Sequence, residues 1–387
     1  MIGPALALLL AYLALVRVRR YRIRELNART PLPLSLEDAR AVIGRIACRE
    51  GPWLWTKSLS FALFKTYAVP SISEILVKSG QLGKTENVSR RYVDTEIVVS
   101  AMLLYPAGRG ARGPHDDPRH SIATARLNWL HARWPIRNDD MLYTLSMFIL
   151  EPPRWFARYG YRPLTELERE ALWLVWKENG KLMQIEGIPD TLAELERWSD
   201  DFAREAFRPA ETNKQVADAS IGLFLSPAPA WLHPLGRTLT ACLMEPLLRE
   251  AVCVAHPPRA LEAAVQTAAR CVGLFQRHLM LPRSSPKTIV PLELPVGERE
   301  FVKTWDFHPW YAAAPSSPLS RLYYAVSGAL GIIPADELPG SKDFRPDGYR
   351  LEEIGPESLR HVGHDKVRIE AERMHGCPFA GKLALGQ

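Results

Sequence analysis

The sequence predicts a mainly α-helical protein, one large helical domain behind an N-terminal membrane anchor helix. Three observations carry the prediction. Long stretches free of Pro and Gly, such as Val88 to Tyr105, hold apolar residues at helical intervals. Capping signals precede several of these runs, Ser35 before Leu36, Glu37 and Asp38 being one and Thr165 with Glu168 another. The opening stretch IGPALALLLAYLALV (2 to 16) is apolar and uncharged, and RVRRYRIR follows it at once.

A cleaved secretory signal carries its charges ahead of the apolar core, so charges placed after it favour an uncleaved anchor. The run is shorter than the roughly 20 residues that span a bilayer comfortably, which leaves a helix lying in the membrane surface open beside a spanning one. For a spanning helix, the basic flank and all that follows face the cytosol. TPLPLS (30 to 35) is a proline-punctuated linker, and Ser35 opens a helix to about Glu50. Trp53, Trp55, Phe61, Phe64 and Tyr67 form an aromatic stretch ending at Pro70; it reads as a core helix, with a substrate-channel wall as the alternative. Pro106 to Pro118 is an exposed loop in which His115, and beyond it His120, are solvated. Helices are then expected over Ile122 to Trp134, Met141 to Leu150 behind the acidic Asp139 and Asp140, Leu164 to Met183, Leu192 to Phe207, Thr238 to Glu250 and residues 260 to 281. After Leu281 prolines recur and strand-length pieces replace long helices, with WDFHPWY (305 to 311) clustering aromatics around His308. The expected organisation is an anchor and basic flank at 1–25, a helical domain at 26–281, and an irregular extension packed on it at 282–387, as a cover or a lid.

The 387 residues are 47% apolar and 24% charged, the profile of an ordinary folded protein with material for a buried core. Part of the net charge of +6 comes from Arg17, Arg19, Arg20, Arg22 and Arg24, a cluster that points to membrane lipid. No nucleic-acid motif accompanies it, and no nucleic-acid partner is expected. The five cysteines are scattered without a Cys-x-x-Cys pair, which fits a reducing compartment. Dinucleotide fingerprint, phosphate loop, zinc-protease helix and serine-hydrolase elbow are absent from the sequence, as is the cysteine loop of a cytochrome P450.

Arg91 and Thr95, four apart, share one face of their helix. On the next helix His131 sits among Leu127, Trp129 and Leu130, with Trp134 one turn on. An apolar wall, one imidazole and an arginine with a hydroxyl nearby are the parts of a haem pocket: an axial ligand, a dry cavity, and polar groups for the propionates or bound oxygen. A lone histidine on an apolar helix face is more often a satisfied core residue, so the pattern leaves both readings open. His233 is the rival ligand, but a residue before proline favours extended or turn backbone. A non-haem iron site needs two histidines and a carboxylate; His131 with Asp139 or Asp140 supplies only part of one.

Several segments carry a family resemblance: KSLSFALFKTYAVPSISEILVKSGQ (57 to 81), RRYVDT (90 to 95), ARLNWLH (125 to 131), NDDMLYTLSMF (138 to 148), LTELEREALWLVWKENGKLM (164 to 183), WLHPLGR (231 to 237) and HGCPF (375 to 379). On these the chain resembles the MpaB-type endoplasmic-reticulum-bound oxygenases of fungal meroterpenoid pathways. Those share a catalytic domain with the bacterial latex-clearing rubber oxygenases. The resemblance implies a helical haem-binding domain using haem b, with His131 as proximal iron ligand and Arg91 and Thr95 beside the haem as the catalytic pair. Arg91, and Arg126 on the helix of His131, are the further cofactor-binding residues expected. The rubber oxygenases place a lysine just before the threonine, where this chain has Asp94, so distal capping of the iron does not carry over.

The function implied is a membrane-bound, haem-dependent oxygenase that uses dioxygen to cleave a C=C bond in the prenyl side chain of a lipophilic, meroterpenoid-like metabolite. Its expected location is the endoplasmic reticulum membrane, catalytic domain in the cytosol. Two alternatives stand beside it: a hydroxylating or dehydrogenating oxidoreductase of the same fold, and a non-catalytic membrane-tethered binding protein.

Overall fold

The computed structural model describes residues 2–82, 85–106, 117–292, 298–302, 307–330, 338–341 and 347–375. Among them are fifteen α-helices: Ile2–Ala28 (α1), Leu36–Arg45 (α2), Pro52–Thr66 (α3), Pro70–Lys78 (α4), Thr85–Leu104 (α5), Arg119–His131 (α6), Asn138–Tyr159 (α7), Glu166–Leu182 (α8), Leu192–Ala206 (α9), Glu211–Leu225 (α10), His233–Ala241 (α11), Pro246–Ala251 (α12), Arg259–Leu279 (α13), Pro318–Ala329 (α14) and His364–His375 (α15). The protein is mainly α, as expected. The strand-length pieces expected after Leu281 do not form strands among the described residues; two isolated bridges, Glu300 with Tyr349 and Val302 with Ala312, stand in their place. Prolines remove backbone donors there, and α14 and α15 interrupt the irregular chain.

The chain divides into two compact units, Met1–Glu74 with Arg137–Ala217 and Pro229–Lys287, and Ile75–Ile136 with Asp218–Ala228 and Thr288–Gln387. In the first unit α3 packs on α7 and α2 on α8. Ser35 caps α2 by accepting the Asp38 amide at 3.1 Å, and the helix runs on through a single π turn, Ile46–Glu50. The aromatic stretch is core: Trp55, Phe61, Phe64 and Tyr67 are buried, Phe61 lies 5.2 Å from Trp155, and only Trp53 faces outward. α7 passes the expected end at Leu150 and continues through Pro152 and Pro153 to Tyr159. Two lost helical hydrogen bonds are tolerated because tertiary contacts hold both sides. Phe148 stacks on Trp176 at 4.8 Å, and the buried Glu151 accepts from Lys65 at 2.9 Å. The helix expected over Thr238 to Glu250 is two, α11 and α12, parted ahead of Pro246.

The polar centre of this unit is Arg162. Its Nε and Nη2 donate to Glu50 at 2.6 and 2.7 Å, and its Nη1 and Nη2 to Glu168 at 2.7 and 2.8 Å. Glu168 also completes the expected capping box, accepting from the Thr165 amide at 2.8 Å while its own amide donates to the Thr165 hydroxyl. Asn27 of α1 donates to Glu168 at 2.8 Å, and Arg45 donates to Asn27 at 2.6 Å.

That contact revises the N-terminal reading. No described helix is long and apolar enough to cross a membrane, so the spanning anchor is not supported. The helix that begins at Ile2 does not stop with the apolar run; it continues to Ala28, and its second half belongs to the scaffold. Val16 is fully buried, and Arg20, counted from sequence in the membrane-facing cluster, is buried with its guanidinium over the Tyr161 ring and donates to the Met280 carbonyl.

In the second unit α5 and α15 both pack on α6. Val88, Leu223 and Phe307 make a small core with Tyr92 and Phe224 around it. His120, expected to be solvated, is 1% exposed within α6; His115 lies outside the described residues. Buried Arg119 donates to the Pro291 carbonyl at 3.0 Å and to Asp117 at 2.7 Å.

Candidate functional site

α5 carries Arg91 and Thr95, and α6 ends on His131. The two helices pack together, which brings the sequence-predicted residues into one neighbourhood of the second unit. Arg91 and Thr95 are half-buried. The Thr95 hydroxyl donates to the Arg91 carbonyl one turn back at 2.7 Å, so its oxygen lone pairs, not its proton, are what it offers elsewhere.

His131 is also half-buried as a residue, but its Nδ1 is enclosed and has no hydrogen-bond partner among the described residues. Burial, and then the charge of Arg91, push the ring down to about 4. The imidazole is therefore neutral at pH 7, with one ring nitrogen protonated and the other carrying a lone pair. An unpaired buried atom is not diagnostic by itself: the Tyr143 hydroxyl and the Trp176 indole nitrogen are in the same position. Neither of those is a soft-metal donor in its neutral form, whereas neutral imidazole is.

The neighbours of these residues are fully committed. Asp94, 1% exposed, accepts from the Tyr311 hydroxyl at 2.8 Å and lies 3.9 Å from Arg90. Arg90 itself donates to Glu357 at 2.9 Å and to the Gly355 carbonyl at 3.2 Å. The Asp94 carboxylate thus belongs to the seat of the C-terminal segment. Trp310 donates to Ser89 at 3.0 Å, and Phe307 stands edge-on to Tyr92 at 5.0 Å, so the described part of the aromatic cluster lies on α5.

Arg126, expected among the cofactor-binding residues, is fully buried and holds the chain itself. Its Nε, Nη1 and Nη2 donate to the carbonyls of Ile354, Val362 and Leu359 at 2.9, 2.9 and 2.8 Å. The loop so gripped closes over the end of α6 through two glycines with positive φ, Gly355 at +121° and Gly363 at +84°. A Cβ on Gly355 would lie 2.9 Å from Leu130, and one on Gly363 only 2.0 Å from the Trp129 ring. Only glycine allows that approach. Arg126 and these glycines fix the last turn of α6, and with it His131. Sequence reasoning missed this clamp because its partners lie more than 200 residues apart.

The rival His233 is in the first unit and opens α11 with helical backbone (φ −58°, ψ −40°), not the extended backbone expected before a proline. Pro234 falls in the first helical turn, where its missing N–H has no helical partner to lose. Among the described residues no three or more His, Cys, Asp or Glu side chains gather as a metal-binding group.

Residues 112–274, which include Arg126 and His131, match the family described as ER-bound oxygenase mpaB/B'/rubber oxygenase, catalytic domain. The chain is 26% identical to the ER-bound oxygenase mpaB' of Penicillium brevicompactum over 96% of its own length and 93% of that protein's. It is 30% identical to the ER-bound oxygenase mpaB of Penicillium roqueforti over 64% of its own length and 89% of that protein's. These define an oxygenase, an oxidoreductase acting with dioxygen on a small molecule. The chain belongs to the MpaB and rubber-oxygenase family.

Proposed function

We propose that this oxygenase binds haem b at the end of α6 and cleaves a C=C bond in the prenyl side chain of a lipophilic, meroterpenoid-like metabolite. The observation that carries the reading is His131, a neutral imidazole with an enclosed nitrogen that no group hydrogen-bonds among the described residues. One such donor suits a porphyrin, which brings four equatorial nitrogens of its own, better than a bare metal ion, which needs several protein ligands. The donor set present therefore fits the group.

When bound, the haem iron supplies the dioxygen site and the redox chemistry. His131 would hold the iron through a ring nitrogen, and burial keeps the ring neutral and so able to do it. Arg91, half-buried and charged, pairs with a propionate carboxylate, and Thr95 positions polar groups beside it through its acceptor oxygen. Arg126 serves the cofactor by holding the helix that presents His131. Asp94 stays with Tyr311 and takes no part at the iron. The apolar company of His131 keeps water from the double bond. The net change is balanced: one C=C bond and one O2 become two carbonyl groups. A lipophilic substrate also gives a reason for association with the endoplasmic reticulum, which the relatives' names carry.

The test is product mass under 18O2 with prenylated aromatic probes. Cleavage gives a shortened product and a terpenoid fragment, each with one labelled carbonyl. A product that keeps its full side chain and gains one labelled oxygen identifies the hydroxylating alternative instead.

A further inference from the structure

Exposed large apolar side chains of the first unit concentrate on two helices that touch. On α1 they include Leu6, Leu8 (73% exposed), Leu9 and Leu10; on α13 they include Val272, Phe275 (54% exposed) and Leu279, spaced to fall along one line of the helix. The helices adjoin at this end, where Tyr12 donates to the Leu279 carbonyl at 2.8 Å and Arg20 to that of Met280. α13 rests on the protein through Gly273, its buried residue, and its outer side is left apolar. Basic side chains border the patch: Arg17, Arg19, Arg22 and Arg24 follow the apolar half of α1, and Arg277 and Arg283 flank the end of α13, all of them exposed.

We propose that α1 and α13 together form an in-plane docking surface for an anionic bilayer leaflet, with Phe275 and its neighbours entering the acyl boundary and the arginines reaching phosphate. This rests on the reading that the protein associates with the reticulum membrane, and it adds a second helix and an orientation to it. Charge complementarity selects the occupant. Cations beside an apolar patch fit anionic headgroups over hydrocarbon, whereas a second copy of the chain would bring its own arginines against these. α1 cannot serve as a free stalk, because Val16, Arg20 and Asn27 bind its second half to the scaffold. Its apolar half is therefore held at a fixed place beside α13.

The experiment is flotation of the full-length protein, purified in detergent and then diluted from it, with vesicles of phosphatidylcholine alone or with phosphatidylserine. Wild type floats, and more with phosphatidylserine. Val272→Glu with Phe275→Glu lowers binding by more than about tenfold, and Arg277→Gln by about fivefold on anionic vesicles only. Ile369→Glu, an exposed apolar site on α15, changes nothing, and unaltered thermal melts show that the variants fold. If wild type floats and the α13 double variant floats equally, α13 is no part of the surface and the proposal falls. If wild type floats with neither vesicle, the association reading falls with it. If lipid-free wild type is a dimer that the double variant splits, the patch is a self-association face and the proposal is wrong.

Discussion

Arg162 and His131 both bring nitrogen atoms into enclosed surroundings, and the chain treats them in opposite ways. Every Arg162 nitrogen reaches a carboxylate or carbonyl, and Glu168 is further held by Thr165 and Asn27. Among the described residues, no group hydrogen-bonds Nδ1 of His131. Buried polar groups in a scaffold are satisfied by the protein because an unmade hydrogen bond is costly. Under the proposed function, the neutral ring of His131 is the group left over for the cofactor.

The contrast is broken most severely at the scaffold. Arg162→Ala leaves Glu50 and Glu168 buried without their cation and should cost about 3–5 kcal/mol, read as a fall in urea midpoint. Haem content per folded molecule should not change, since Arg162 holds structure only. Arg126→Leu sharpens the comparison, because this residue shares α6 with His131 yet is satisfied like Arg162. Leaving three carbonyls without donors should cost about 2–3 kcal/mol and speed hydrogen exchange over residues 354–363. A clamp leaves the Soret position of folded protein unmoved; loss of the band to the extent expected for His131→Ala would make Arg126 a direct cofactor holder. Thr165→Ala removes one half of a capping box, and about 1 kcal/mol should appear as a lower melting temperature.

The smallest effect is in acid. Burial pushes the Asp347 and Glu353 carboxyls up, but hydrogen bonds and charge from Arg360 and Arg299 outweigh it and hold both below their ordinary values. Their stabilisation is complete above the unfolded carboxylate range, about 4, and is lost as pH falls through the lowered folded values. Protection of the C-terminal segment against exchange should decline in that window. The loss is modest because Asp347 is half exposed and screened.

Much of this was legible in the sequence where the cause is local. Helical periodicity gave α5, α6, α8, α9 and α13 to within a few residues, and the Thr165 and Glu168 pair announced its capping box. Longer reach left no local mark. The helix expected to Leu150 runs on past Pro152 and Pro153, because the packing of Phe148 and Trp155 that carries α7 beyond them is tertiary. Arg20 read as one member of a basic flank, since Tyr161 and Met280 stand 141 and 260 residues further along. His131 could be named, but a pattern cannot tell a satisfied core histidine from one without a partner. That distinction exists only in the folded chain.

The most direct test of His131 as the cofactor's ligand is the absorption spectrum of the purified protein, as isolated and after dithionite, beside His131→Ala. A Soret band near ~400 to 420 nm in wild type, lost in the variant while its thermal melt is retained, is the expected result. A variant that keeps the full band, or a wild type that takes up no haem when it is supplied, would contradict it.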